Sequence, residues 1–125
     1  MSKDLSIKGW LECEFDEVSS IKNVINQCAE PQTDTPFSLA LIDKYNQGWV
    51  FPEQKKGWIS YIFYGFDIRA EHEEYLTWVL NEILTTNNEI EGFFKIEDFE
   101  ADWPSKTIDI NNGELKYSGN YSGQP

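Results

Sequence analysis

Apolar and polar side chains alternate along the first strand-sized stretch of the chain. Leu5, Ile7, Gly9, Leu11, Cys13 and Phe15 fall on one side, and Ser6, Lys8, Trp10, Glu12 and Glu14 on the other. A period of two predicts a half-buried strand. The period then lengthens: after Asp16, an expected helix cap, Val18, Ile21, Val24, Ile25 and Cys28 recur at helical spacing until Pro31. Pro31 and Pro36 enclose a polar loop. Phe37 to Ile42 predicts a strand, and the Asp43 to Gly48 segment a turn before a short strand, Trp49 to Phe51, that Pro52 ends. From Trp58 to Phe66 β-branched and aromatic residues dominate, which predicts a central strand with Trp58 in the core.

A second helix is expected between Arg69 and Leu84, where Tyr75, Leu76, Val79, Leu80, Ile83 and Leu84 share one face. Glu71, Glu73 and Glu74 lie in its first turns, where they complement the positive end of the helix dipole. Ile90, Gly92, Phe94 and Ile96 alternate with Glu91, Phe93, Lys95 and Glu97 as another strand. Lys106 to Ile110 and Glu114 to Tyr117 flank Asn111-Asn112-Gly113, a hairpin signal because Asn and Gly tolerate positive φ. The order β-α-β-β-β-α-β-β-β predicts an α+β fold. Its expected form is a two-layer sandwich related to the ferredoxin-like arrangement, with a mostly antiparallel sheet and two helices on one face. The reading places one domain over residues 1–117 and a loose tail over 118–125.

Composition narrows the partners. The chain has 125 residues, enough for one hydrophobic core, and its 15% aromatic content supplies large apolar surface to offset chain entropy. Twenty-two Asp and Glu against ten Lys and Arg give a net charge of −12, a field that repels nucleic-acid phosphates and anionic lipids and draws in basic surfaces. Arg69 is the sole arginine, which argues further against phosphate recognition. No apolar run reaches bilayer length, and Met1-Ser2-Lys3-Asp4 is followed by no apolar signal segment. Neither a nucleic-acid nor a membrane partner is expected, and the sequence predicts a cytoplasmic protein with Cys13 and Cys28 reduced on apolar positions.

Catalytic chemistry has few candidates. His72, the only histidine, sits among Glu71, Glu73 and Glu74 and is expected to face solvent. Cys13 and Cys28 fall on apolar faces, where a thiolate is disfavoured. No zinc-type spacing of Cys or His occurs, and Asp98, Glu100 and Asp102 lack the glycine and later glutamate of a calcium loop. No phosphate loop, metal, cofactor or catalytic residue is therefore expected, and the chain reads as a binding protein and not an enzyme. The strongest binding signal is acid interleaved with rings: Glu91, Phe93, Glu97, Asp98, Glu100, Asp102 and Trp103, with Trp10, Glu12 and Glu14 as a second patch. Aromatic anchors ringed by carboxylates suit a basic protein.

In size, acidity, the opening Gly9-Trp10-Leu11-Glu12-Cys13-Glu14-Phe15-Asp16, the region Gly92 to Glu100 and the Ile108 to Gly113 hairpin, the chain resembles small bacterial immunity proteins. These neutralise toxin domains delivered through contact-dependent inhibition or bacteriocin systems. The resemblance implies a cognate toxin, commonly a nuclease whose positive cleft an acidic surface would block. Two other readings compete. One is a small-ligand or enzyme domain with an aromatic pocket around Trp49, Trp58 and Tyr61 and His72 or a carboxylate as its polar group; the other is an acidic nucleic-acid mimic.

Overall fold

The computed structural model describes residues 4–30, 37–98 and 106–118. Its elements are β1 (Asp4–Cys13), α1 (Phe15–Cys28), α2 (Leu39–Asn46), β2 (Trp49–Val50), β3 (Ser60–Arg69), a 3₁₀ turn (Ala70–His72), α3 (Glu74–Leu84), β4 (Glu91–Asp98), β5 (Lys106–Asn111) and β6 (Glu114–Ser118). The strands form one six-stranded sheet in the order β2-β3-β1-β4-β5-β6. Every neighbouring pair is antiparallel. It follows that β1 and β2 run parallel with β3 between them, and β3 and β4 run parallel with β1 between them. This is the split βαβ arrangement of the ferredoxin-like type, lengthened by the β5–β6 hairpin. The α+β class and antiparallel sheet are as the sequence predicts.

Alternation sets the layers. Leu5, Ile7, Leu11 and Cys13 of β1, Ile62, Tyr64 and Ile68 of β3, Phe94 and Ile96 of β4, and Ile108 and Ile110 of β5 are buried together with the apolar stripes of all three helices. Val18, Ile21, Ile25 and Cys28 supply the stripe of α1, and Tyr75, Leu76, Val79, Leu80, Ile83 and Leu84 that of α3. Gly9 takes a core-side position in β1 directly opposite Phe94. A Cβ there would stand 2.3 Å from the Phe93 carbonyl oxygen and 2.6 Å from the Phe94 ring. The hairpin at residues 111–114 turns through Asn112 (φ 55°) and Gly113 (φ 76°), the left-handed pair that a two-residue loop requires.

Four sequence expectations are corrected. Phe37 to Ile42 is no strand: Ser38 accepts a hydrogen bond from the Leu41 amide at 3.2 Å and opens α2, so the sheet carries three helices and not two. The helix spacing of Ile42 and Tyr45 brings both side chains into the core. At α1 the cap is Glu14 and not Asp16, its amide donating to Glu17 Oε1 at 3.1 Å. The expected helix from Arg69 is broken, a 3₁₀ turn preceding α3. Trp58 lies ahead of β3 and is 92% exposed, because the strand begins only at Ser60. The hairpin strand β6 reaches Ser118, one residue past the expected domain limit, while residues 119–125 of the expected tail lie outside the described residues.

Candidate functional site

Antiparallel sheets with one covered face normally turn polar side chains outward on the other. This sheet departs from that rule along one row. Reading across the strands by register, Val50, Phe63, Trp10 and Phe93 stand side by side, followed by Asp109 and Lys116. The Trp10 and Phe93 rings lie 5.3 Å apart, and Tyr61 stacks on Phe63 at 6.3 Å. Two further rows flank the aromatic one. On one side Gly65, Lys8, Lys95 and Thr107 align; on the other, Tyr61, Glu12 and Glu91. Seven large hydrophobics are exposed among the described residues, and five of them, Val50, Trp58, Ile59, Tyr61 and Phe63, lie on β2, on β3 or in the segment leading into β3. Clustered exposure of this kind marks contact surfaces.

The pairing of β1 with β4 merges the two patches read from sequence. Trp10, Glu12, Glu91, Phe93 and Glu97 share the open face. Glu14 begins α1 at the end of that face, where a groove of about 250 Å³ is lined by Glu12, Glu14, Glu17, Glu89, Glu91 and Ile59. Glu97 is less available than expected, because Lys8 binds it at 2.9 Å and Lys95 lies 3.9 Å away. The hydrogen bond from Lys8 holds its carboxyl below the ordinary carboxylate range. Asp98 is a correction: it pairs with buried Leu5 and is half-buried at a core-side strand position, so it does not join the open face. Glu100, Asp102 and Trp103 lie outside the described residues. The sequence does not mark Tyr61 and Phe63 as contact residues, since β3 carries rings on both faces and does not reveal which side is covered, and Val50 sits in a strand of two residues, too short to show a period.

The aromatic pocket of the competing reading does not assemble. Trp49 is buried on the helix side, Trp58 is exposed, and Tyr61 stands on the open face. His72 is also not the free solvent-facing ring expected. Its Nδ1 is 2.9 Å from the Tyr45 hydroxyl and its ring packs edge-on to Phe37. Tyr45 belongs to a polar network inside the core. Tyr64 donates to the Tyr45 carbonyl at 2.8 Å, the Trp49 indole donates to the Tyr75 hydroxyl at 3.2 Å, Tyr75 donates to Asn46 Oδ1, and Asn46 donates to the Ile25 carbonyl at 3.0 Å. Burial raises the Tyr64 and Tyr75 phenols well above their usual range. Among the described residues, no group of three or more His, Cys, Asp or Glu is placed to hold a metal ion, and no helix is long and apolar enough to cross a membrane.

Cys13 and Cys28 are free and buried. Burial, reinforced by Glu17 at Cys13 and Glu82 at Cys28, pushes both thiols up to about 11 from 9.0. The unfolded chain loses these protons near pH 9 while the folded chain keeps them, so their stabilisation is intact below pH 9 and lost as pH rises through about 11. The two buried phenols act in the same direction. Urea midpoints measured across that interval are expected to fall steadily; a level midpoint would contradict the burial of these groups. Compared with protein-family models, curated proteins and solved structures, the chain matches none.

Proposed function

We propose that this chain is an immunity-type inhibitor that binds a basic protein toxin, of the nuclease kind, through the open face of its sheet. The supporting observation is the apolar row Val50, Phe63, Trp10 and Phe93 beside a groove bearing five glutamates. Rings of this kind provide buried anchor area, and carboxylates at the margin speed and orient the approach of a cationic surface. The net charge of −12 extends the same attraction to longer range. A nuclease cleft shaped for phosphates offers the complementary charge, and covering it requires no chemistry from the inhibitor.

The test is co-expression with a toxin domain encoded in the adjacent reading frame, followed by growth rescue and titration of the purified pair. Phe63→Asp removes an anchor that is half exposed, and Glu12→Lys with Glu91→Lys cancels most of the negative charge of the groove. Each is expected to weaken binding by about 100-fold or more, the charge reversal acting strongly on the association rate. Wild-type association should slow as salt rises. Full rescue and unchanged affinity in both variants would remove the open face from the proposal.

A further inference from the structure

The open face is complementary to itself. We infer that, without its partner, the chain pairs with a second copy through this face, about a two-fold axis lying along the Phe63-Trp10-Phe93 row. Such an axis lies in the plane between two facing sheets and exchanges what stands on either side of the row. Lys8 and Lys95 of one copy then meet Glu12 and Glu91 of the other, since each pair lies two residues from the row on opposite sides. Shape agrees with charge. Gly65 and Tyr61 flank Phe63 in the same way, and nothing lies within 4 Å of where a Gly65 Cβ would stand. The Tyr61 ring of one copy therefore seats in the notch above Gly65 of the other, while the aromatic row packs on its own image.

The perpendicular choice fails. An axis along the strands would set Lys8 against the row of Lys8 and Glu12 against that of Glu12, and like charges held face to face oppose pairing. Only the first arrangement sets rings on rings and lysines against glutamates in the two rows beside them. Two sheets so placed pack aligned, about 10 Å apart and crossed by about 30°, which lets the Asp109 positions at the margin diverge. Asp109 also faces Lys116 within its own sheet. Six strands about 4.8 Å apart and two to ten residues long offer roughly 650 Å² per copy, somewhat less than the ~800 Å² that a standard interface covers on each side. The pairing covers the exposed Tyr61 and Phe63 and the half-buried Trp10 and Phe93 until a partner displaces the second copy.

Salt separates this association from toxin binding. Two copies of charge −12 repel over distance, and that repulsion is screened at physiological ionic strength while contact pairs are screened much less. Raising salt from about 0.01 M to about 0.15 M is expected to strengthen self-pairing and to weaken binding of a basic partner.

The experiment is sedimentation equilibrium of the full chain with two charge variants. Lys8→Glu/Lys95→Glu makes both flanking rows acidic, and Glu12→Lys/Glu91→Lys makes both basic. Wild type should form a dimer, each variant alone a monomer, and their mixture a one-to-one heterodimer. Gly65→Leu, whose Cβ would stand in open space, should raise the dissociation constant by about 10-fold or more by filling the Tyr61 seat. A wild type that stays monomeric, or variants that pair alone as well as mixed, would overturn the inference. The toxin proposal would survive that result, because it fails only if toxin affinity is insensitive to this face.

Discussion

Gly9→Ala is expected to lower the melting temperature by roughly 10 °C, the largest effect foreseen for removal of no contact at all. The added methyl would stand 2.3 Å from a backbone carbonyl oxygen and 2.6 Å from the Phe94 ring. The ring has nowhere to go, since Phe94 is fully buried and packs against Trp49 at 6.0 Å. The carbonyl belongs to β4, which is hydrogen-bonded to β1 over the whole contact. Relief therefore requires the two central strands to part, at about 2–3 kcal/mol for overpacking of this kind. At roughly 4 °C per kcal/mol for a domain of this size, the shift is large enough to read by calorimetry. Gly65→Ala provides the control: it lies on the adjacent strand, meets nothing within 4 Å, and should leave the midpoint nearly unchanged. Equal destabilisation by both would show that glycine flexibility, and not space, sets the choice at residue 9.

Tyr75→Phe removes one oxygen and should destabilise the fold by about 2–3 kcal/mol. That hydroxyl accepts from the Trp49 indole at 3.2 Å and donates to Asn46. Without it, a buried N–H and an amide oxygen both lose a partner. Replacing both Trp49 and Tyr75 by Phe deletes the indole donor as well as the hydroxyl, but it also removes indole packing against Tyr64 at 4.6 Å and Phe94 at 6.0 Å. Urea titration of the two single variants and the double is expected to show a combined loss smaller than the sum of the single losses by about 1 kcal/mol. Strict additivity would mean that the hydroxyl and the indole do not depend on one another.

Much of this arrangement is legible in the residues alone. The alternation in Leu5 to Cys13 and Ile90 to Glu97, the helical stripes of α1 and α3, and the Asn112-Gly113 turn each carry a single unambiguous period. Leu39-Ala40-Leu41-Ile42 does not. An unbroken apolar run of four suits a buried strand or a helix equally well, and the Ser38 cap was the signal that separated them. Trp58 reads as a core residue because it adjoins a strand rich in rings, yet pairing with Cys13 begins the strand two residues later. The two acidic patches look separate in the sequence because periodicity reveals faces of one strand and never which strands are neighbours. Once β1 lies against β4, Trp10 and Phe93 become one surface. Phe63 and Tyr61 complete it from a strand whose sidedness the residues leave open.

The position of β1 has a consequence for how the molecule is made. Leu5 pairs with Ile68 on one side and Asp98 on the other, so the earliest strand synthesised waits for the latest of the central three. A nascent chain emerging from a ribosome thus holds β1 with one margin of backbone groups unmatched until β3 arrives and the other until β4 does. Helix α1 can form locally in that interval, while the β1–β3 pairing waits for more than forty further residues. Assembly is expected to be slow relative to helical bundles of equal length, and the waiting strand is the segment that a chaperone would find first.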